Sequence, residues 1–156
     1  MTRFPRAVAG LALVLGCSAP SDLTVKAVHQ YMECIECVAG EQDRVVALAP
    51  ESVLLLGDFL LHGPPVGAVK LRRDYLRELQ RKQYPPAAGV VDSLRPPFRR
   101  ALENYDAKYR LRAIDALALI KSPAAVVALC DASLATHRSD VDLALHRAIT
   151  QIGAVC

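Results

Sequence analysis

The sequence predicts an all-α protein whose folded part is one domain of antiparallel helical hairpins. Apolar residues recur at helical spacing along most of the chain, and no stretch keeps up the apolar–polar alternation of a half-buried strand. Glycine and proline clusters, such as Gly63-Pro64-Pro65, separate the periodic segments as connections between helices do. The chain has 156 residues, which suffices for one domain with a substantial core.

The first sixteen residues have the composition of a secretory signal peptide. Met1 to Arg6 contains two arginines and no acidic residue, and Ala7 to Gly16 is uncharged and mostly apolar. This apolar stretch fits the hydrophobic region of a signal peptide and is too short to span a bilayer. Pro20 prevents a helix from continuing into the rest of the chain. We therefore expect residues 1–16 to direct export.

The end of this segment, Val14-Leu15-Gly16-Cys17, resembles the lipobox of bacterial lipoproteins. The resemblance implies cleavage before Cys17, lipidation of Cys17 and attachment to a membrane through the lipid anchor. It also implies a location in the cell envelope, and Ser18 after the cysteine favours the outer membrane or the periplasmic face. Residues 17–23 would then be a lipid-anchored tether, and residues 24–156 would form the helical domain.

The first helical segments of the domain run from Ser21 to His62. "SDLTVKAVHQYMECIECVAG" opens with cap-type residues and stops or bends near Gly40, and "EQDRVVALA" follows it. The next helix has Pro50 in its first turn and ends at Gly63-Pro64-Pro65. Its apolar residues surround the helix axis, so we expect this helix to be central. They are Leu54, Leu55, Phe59 and Leu61.

The segment "VGAVKLRRDYLRELQRKQY" predicts an amphipathic helix that ends at Pro85-Pro86. One stripe along it is apolar and consists of Leu71, Tyr75 and Leu79, with Leu76 beside it. A second stripe is basic and consists of Arg73, Arg77 and Arg81, which share a face because they are four residues apart. The following "AAGVVDSLRPP" predicts a linker or short turn, and it is the best candidate for a hinge.

The last third of the chain predicts one long helix followed by a helical hairpin. "PFRRALENYDAKYRLRAIDALALIK" is either a single helix or two helices with a break near Asp106. Ser122 is an expected N-cap with Pro123 at the first helical position. In the final helix, Ser139 and Asp142 have the spacing of an approximate capping box.

The stretch Tyr109–Leu117, the Ser122-Pro123 turn and the following helix resemble a HEAT-type repeat, and "VVALAPESVLLL" resembles the junction of an earlier copy. The resemblance implies a HEAT-like or armadillo-type α-solenoid. Pro50 and Pro123 are too far apart for one repeat, so another helical pair would lie between them or the array is irregular. Lys121 stands where such turns often carry glycine. A compact irregular helical bundle is the alternative architecture.

Four cysteines follow Cys17, an even number that suggests disulfides in an oxidising compartment. Cys34 and Cys37 are a candidate pair because they lie on one side of a helix. A bridge between Cys130 and Cys156 looks harder, since Cys156 would lie ~18 Å beyond the helical position opposite Cys130. Unwinding after Gly153 would shorten that gap, and a link from Cys34 or Cys37 to the C-terminal region is a further alternative.

The sequence contains no motif from which we predict enzymatic activity or a cofactor. Cys34-Ile35-Glu36-Cys37 lacks the strand–helix unit of a thioredoxin-like site, the histidine of a c-type haem site and the second ligand pair of a zinc site. His29, Glu33 and Cys37 share a helical face, but a solvated face explains this pattern better than a metal site. Ser133, His137 and Asp140 are close in sequence, which does not establish a nucleophile geometry.

Basic residues are concentrated between Val66 and Arg112, a stretch that contains twelve lysines and arginines and only five acidic residues. For an exported protein this predicts an envelope protein or an anionic surface as the partner, and not nucleic acid. A solvated face with local pairs such as Glu78–Lys82 is the simpler explanation. We expect a non-enzymatic, membrane-anchored scaffold or protein-interaction module. The alternative is a thiol-dependent redox or metal-handling lipoprotein centred on Cys34 and Cys37, and a third possibility is membrane-surface binding through the arginine stripe.

Overall fold

The computed structural model describes residues 19–34, 39–85, 93–135 and 137–156, and the regular structure in these ranges is entirely helical. The prediction of an all-α fold is confirmed. The linker predicted after Pro86 falls largely outside the described residues. The described elements are α1 (Asp22–Glu33), α2 (Ala39–Ala47), α3 (Glu51–His62), α4 (Val66–Gln83), α5 (Pro96–Ile120), α6 (Pro123–Ser133) and α7 (Ser139–Ile152).

A side-chain cap explains where α6 begins, whereas α7 begins without one. The Oγ of Ser122 accepts a hydrogen bond from the N–H of Ala125 at 3.2 Å, and Pro123 occupies the first turn, as predicted. The capping box predicted for α7 does not form, because Ser139 is already the first helical residue and Arg138 is the N-cap. Asp140 of the first turn instead accepts a hydrogen bond from the N–H of Val141 at 3.0 Å.

A side-chain contact joins the starts of α1 and α3. Ser21 is the N-cap of α1, and its Oγ accepts a hydrogen bond from the N–H of Thr24 at 3.4 Å. The carboxylate of Glu51, the first residue of α3, accepts hydrogen bonds from the N–H and Oγ of Ser21 and from Oγ1 of Thr24, at 2.7–2.9 Å. These donors stabilise the ionised carboxylate and lower the pKa of Glu51 to about 2.

Helix α5 is the centre of the fold. It is one unbroken helix of 25 residues, so the break considered near Asp106 does not occur. Asp106 instead pairs with Arg110 one turn later, at 3.0 Å, within the same helix. Along its length α5 contacts each of the other six described helices. It ends at Lys121, which has a left-handed conformation with φ 52°.

The core lies where α3, α6 and α7 pack around α5, and α1 adds the buried side chain of Met32. Gly57 lies at the contact of α3 with α6, where the Cβ of Ala128 approaches closely. We predicted that α3 is buried all round, but only one side of it is. Leu56 and Leu60 are buried, whereas Leu54 and Leu61 are exposed. The remaining buried side chains of the core include Tyr109, Ile114, Leu117, Leu129, Val141 and Leu145.

The C-terminal tail reverses direction immediately after α7. Gly153 has a left-handed φ of 68°, and its N–H donates to the carbonyl of Thr150 while the N–H of Ala154 donates to the carbonyl of Ile149. This pair of hydrogen bonds is a Schellman motif. The reversal carries Cys156 back to Cys130, and the two form a disulfide with a Cα–Cα distance of 5.4 Å. The expected gap between Cys156 and Cys130 assumed that α7 continues to Cys156, and it does not arise because the helix ends at Ile152.

None of the described helices is by itself long and apolar enough to cross a membrane. Only one pair of neighbouring described segments is together long and apolar enough to do so. The pair is Gly40–Ala47 and Glu51–His62, and the chain bends by 112° between them.

Candidate functional site

Helix α4 is attached to α5 through a narrow face. Leu76 is 4% exposed, and Gln80 is the other buried residue of the helix. The side-chain amide of Gln80 donates to the carbonyl of Ser93 at 3.0 Å, and its oxygen accepts a hydrogen bond from the N–H of Arg95 at 2.7 Å. One leucine and one glutamine thus hold the helix beside the start of α5, and most of its remaining surface faces outward.

The apolar stripe predicted on α4 lies mainly in that outward surface. Leu71 is 74% exposed and Tyr75 is 54% exposed, whereas Leu79 is half-buried. The guanidinium of Arg72 lies over the ring of Tyr75, 5.5 Å from its centroid. The sequence pattern identified an apolar stripe, but the residue that packs into the protein is Leu76 beside it.

The three arginines of the predicted interaction surface follow one flank of α4. Arg73 and Arg81 are exposed, while Arg77 is half-buried and its Nη1 lies 3.4 Å from Asp74 Oδ1. The simpler explanation of the basic residues, a solvated helix face with local ion pairs, also has support, because Lys82 Nζ lies 3.6 Å from Glu78 Oε1. We refer to Leu71, Tyr75, Arg73 and Arg81 as the outer surface of α4.

Three other basic residues of the predicted cluster turn inward from α5 and bind the ends of neighbouring helices. Arg110 Nη1 donates to the carbonyls of Leu60 and Leu61 at the end of α3, at 2.6 and 2.9 Å. Arg112 Nη1 donates at 2.8 Å to each of the carbonyls of Tyr31 and Met32 in α1. Lys108 Nζ donates to the carbonyl of Cys34 at 3.0 Å. Cations at helix C-termini satisfy free carbonyls and oppose the negative end of the helix dipole, so these charges have a structural role.

A carboxylate and two tyrosines form a second polar contact between α1 and α5. The hydroxyl of Tyr105 donates to Glu33 Oε1 at 2.6 Å, and the hydroxyl of Tyr109 donates to the same oxygen. Burial, together with the hydrogen bond to Glu33, raises the pKa of Tyr105 to about 12 and also raises the pKa of Tyr109. Both hydroxyls therefore stay protonated near neutral pH and keep the Glu33 carboxylate in place.

Sequence reasoning missed this contact because its members lie more than seventy residues apart. The only local signal is the spacing of Tyr105 and Tyr109, which places both rings on one face of α5 with centroids 5.4 Å apart.

The predicted cysteine sites are described only in part. The sulfur of Cys34 is disulfide-bonded, and Cys37, the partner that the sequence predicts, lies outside the described residues, as does Cys17. The Cys34–Cys37 pairing and the lipidation of Cys17 stay predictions.

The polar side chains near the α6–α7 turn have separate partners. The Oγ of Ser133 donates to the carbonyl of Cys130 at 2.7 Å, His137 Nε2 lies 2.9 Å from the carbonyl oxygen of Ala132, and Asp140 pairs with Arg138. These three side chains do not form a nucleophile–base arrangement. Within the described ranges, no group of three or more histidine, cysteine, aspartate or glutamate side chains could hold a metal ion. No family model, curated protein or solved structure matches the chain.

Proposed function

We propose that the protein is a non-enzymatic scaffold or protein-interaction module, anchored to a membrane of the bacterial cell envelope through Cys17. The observation that carries the proposal is the outer surface of α4. An apolar leucine and a tyrosine lie exposed on a helix that is fixed to the body of the protein by its opposite side. A rigid helix that presents apolar residues to solvent is well suited to receive a partner.

The chemistry of this surface favours a protein partner with acidic groups. Tyrosine and arginine are enriched in protein interfaces, where their large side chains bury area at the centre of a contact. Arg73 and Arg81 are both exposed on α4 and add positive charge on a different flank of the helix from Leu71 and Tyr75. Acidic side chains on the partner would complement them and direct its approach.

The short tether supports a location close to the membrane. Ser21 already caps α1, so only four residue steps separate it from the predicted lipidation site at Cys17. A fully extended chain of that length spans ~14 Å. The acyl chains on Cys17 would therefore hold the helical domain near the headgroups, with its interaction surface within reach of membrane-associated partners.

Two architectures fit the helices. The α6–α7 hairpin packed on α5 supports the HEAT-like solenoid. The contacts of α5 with both α1 and α7 support a compact bundle, because repeats in a solenoid contact mainly their neighbours. We favour the compact bundle as the arrangement that presents α4.

The anchor is tested by intact mass after expression in a bacterial host that processes lipoproteins. We expect the mature chain to begin at Cys17 and to carry acyl groups, and to sediment with membranes. The Cys17→Ser variant should keep its signal segment and lose the acyl mass. An uncut, unmodified N-terminus in the wild-type chain would refute the anchored scaffold.

The interaction surface is tested by placing a photoreactive amino acid in the anchored protein at Leu71 or Tyr75. We expect one discrete cross-linked protein from both positions and no such product from Val127, an exposed apolar position on α6. The double change Arg73→Glu and Arg81→Glu should abolish the product. Equal cross-linking from Val127, or a product that is unaffected by the charge reversal, would refute a specific interface on α4.

The alternative is thiol chemistry at Cys34 and Cys37, which are separated by two residues in the sequence. Alkylation of the protein as isolated from membranes separates the two functions. Cys34 and Cys37 that react only after reduction support the scaffold. Cys34 that reacts rapidly below pH 7 without reduction supports thiol chemistry.

A further inference from the structure

A cavity of about 570 Å³ with several charged side chains in its lining opens where the end of α1 meets α4 and α5. Its volume is in the range of small-molecule sites. It adjoins the outer surface of α4 through Arg72, which lies over the ring of Tyr75, but it requires neither Cys17 nor a protein partner. Its polar lining consists of Glu33, Arg72, Asn104, Tyr105, Lys108 and Arg112.

The lining holds three cations and one carboxylate, and that carboxylate is already engaged. Glu33 accepts the hydroxyl protons of Tyr105 and Tyr109. Lys108 and Arg112 donate to backbone carbonyls, which orient the two cations without neutralising their charge. Positive charge in the cavity thus exceeds the negative charge that the lining supplies.

The cations are also held in position before any ligand arrives. The guanidinium of Arg72 lies 5.5 and 5.6 Å from the ring centroids of Tyr75 and Tyr105. Lys108 and Arg112 are fixed by the end of α1, as described above. A ligand that enters pays little to order these side chains, which favours binding.

The surroundings of Lys108 disfavour its charged form, through burial first and through neighbouring cations second. Burial lowers the pKa of its ammonium group, and the neighbouring Arg112 and Arg72 lower it further, while Glu33 only partly opposes them. An anion bound among these groups would relieve the repulsion and raise the pKa of Lys108.

We propose that this cavity binds a phosphate group. Arg72 and Lys108 would be its charge partners, since a guanidinium and an ammonium form strong charge-assisted hydrogen bonds with phosphate oxygens. Asn104 is a further donor, because its Oδ1 accepts a hydrogen bond from Arg138 at 2.7 Å and this leaves the amide N–H groups available. The phosphate belongs either to a free phosphate ester or to the headgroup of an anionic phospholipid, which present the same oxygens.

The test uses the mature chain from residue 17 onward, carrying Cys17→Ser and lacking residues 1–16, so that neither a lipid anchor nor the apolar signal segment binds vesicles. Calorimetric titration with inorganic phosphate measures the free source. Co-sedimentation with phosphatidylcholine vesicles, with and without phosphatidylglycerol, measures the headgroup source. Arg72→Gln and Lys108→Gln each remove one charge from the cavity, and glutamine at 108 keeps a donor for the Cys34 carbonyl. Arg99→Gln is the matched control, because it removes one charge from an exposed position of α5 outside the cavity.

We expect Arg72→Gln and Lys108→Gln to weaken binding of phosphate or of phosphatidylglycerol vesicles about tenfold or more, and Arg99→Gln to weaken it less than twofold. Binding of inorganic phosphate identifies a free ester as a sufficient ligand, whereas binding of vesicles alone identifies the headgroup. A rise in the pKa of Lys108 on binding, followed by NMR, would place the anion in the cavity. The proposal is overturned if neither probe binds, or if all three variants weaken binding equally, since that result indicates general surface charge. Thermal unfolding shows that each variant is folded, and the exposed position of Arg72 keeps the test valid if Lys108→Gln is unstable.

Discussion

Replacing Gly63 with alanine should destabilise the protein more than any other glycine-to-alanine change in its described part. Gly63 ends α3 with φ 76° and ψ −159°, and its N–H donates to the carbonyl of Phe59 at 2.9 Å. This backbone region is accessible essentially to glycine alone. A Cβ at this position would lie 2.3 Å from Asp106 Oδ1 and 3.2 Å from Arg110 Nη2.

The expected loss comes from two sources. A non-glycine residue in this conformation costs about 1–3 kcal/mol. The clash also displaces Asp106 from its 3.0 Å contact with Arg110, the residue that binds the last carbonyls of α3. Disturbing hydrogen bonds to a charged group costs about 1–2 kcal/mol more. We therefore expect a decrease of roughly 2–5 kcal/mol in the free energy of unfolding, a large part of the stability of an ordinary domain.

Urea denaturation of the oxidised protein, followed by circular dichroism, measures this loss against two matched variants. Gly153 also has a positive φ, but nothing lies within 4 Å of the added Cβ, so Gly153→Ala should cost only about 1–2 kcal/mol. Gly57 is inside α3, where the added Cβ makes an ordinary 3.5 Å contact with Ala128, so Gly57→Ala should stabilise by about 0.5–1 kcal/mol. If Gly63→Ala costs no more than Gly153→Ala, the steric reasoning at Asp106 is refuted.

Other substitutions test single contacts. Because the pKa of Glu51 is about 2 in the folded protein against an ordinary 4.5, its stabilising effect is complete above pH 4.5 and is lost as the pH falls towards 2. The difference in Tm between the wild type and Glu51→Gln should therefore shrink across that window, and a difference independent of pH would contradict the hydrogen-bond assignment. Lys121→Gly should raise the free energy of unfolding by about 0.5–1 kcal/mol in urea melts, because glycine relieves the left-handed backbone at φ 52°; a loss would mean that contacts of the lysine side chain outweigh the strain. Cys156→Ser opens a loop of 26 residues and should cost about 3 kcal/mol in oxidising buffer. That difference from the wild type should disappear in reducing buffer, and its persistence there would show that the sulfur contributes through packing.

Much of the helical structure could be predicted because its signals are local. Ser122 and Pro123 start α6, and Gly63 and Gly153 follow the ends of α3 and α7, since each relies on its own backbone preference or on a hydrogen bond within a few residues. The N-cap of α7 does not follow from the sequence in this way, because Arg138 and Ser139 both adjoin the first turn and the capping-box spacing does not decide between them.

The candidate sites were only partly predictable. The spacing of Arg73, Arg77 and Arg81 predicts a shared flank of one helix, but spacing does not reveal which flank the protein leaves exposed. The cavity at the end of α1 depends on Glu33 meeting Tyr105 and Lys108 across more than seventy residues. Such a meeting is set by the path of the whole chain and has no signal in either segment alone.

Sequence alone thus determined the all-α class and several capping residues of the described helices, because these depend on interactions between near neighbours. Tertiary structure decided which side of each helix is buried, as Leu76 and Leu71 illustrate: both are leucines of one amphipathic helix, yet only the first faces α5. It also decided that Lys108, Arg110 and Arg112 bind helix ends and not solvent, and that Cys156 reaches Cys130. These outcomes depend on how helices distant in sequence pack together, since burial and long-range pairing are properties of the assembled core.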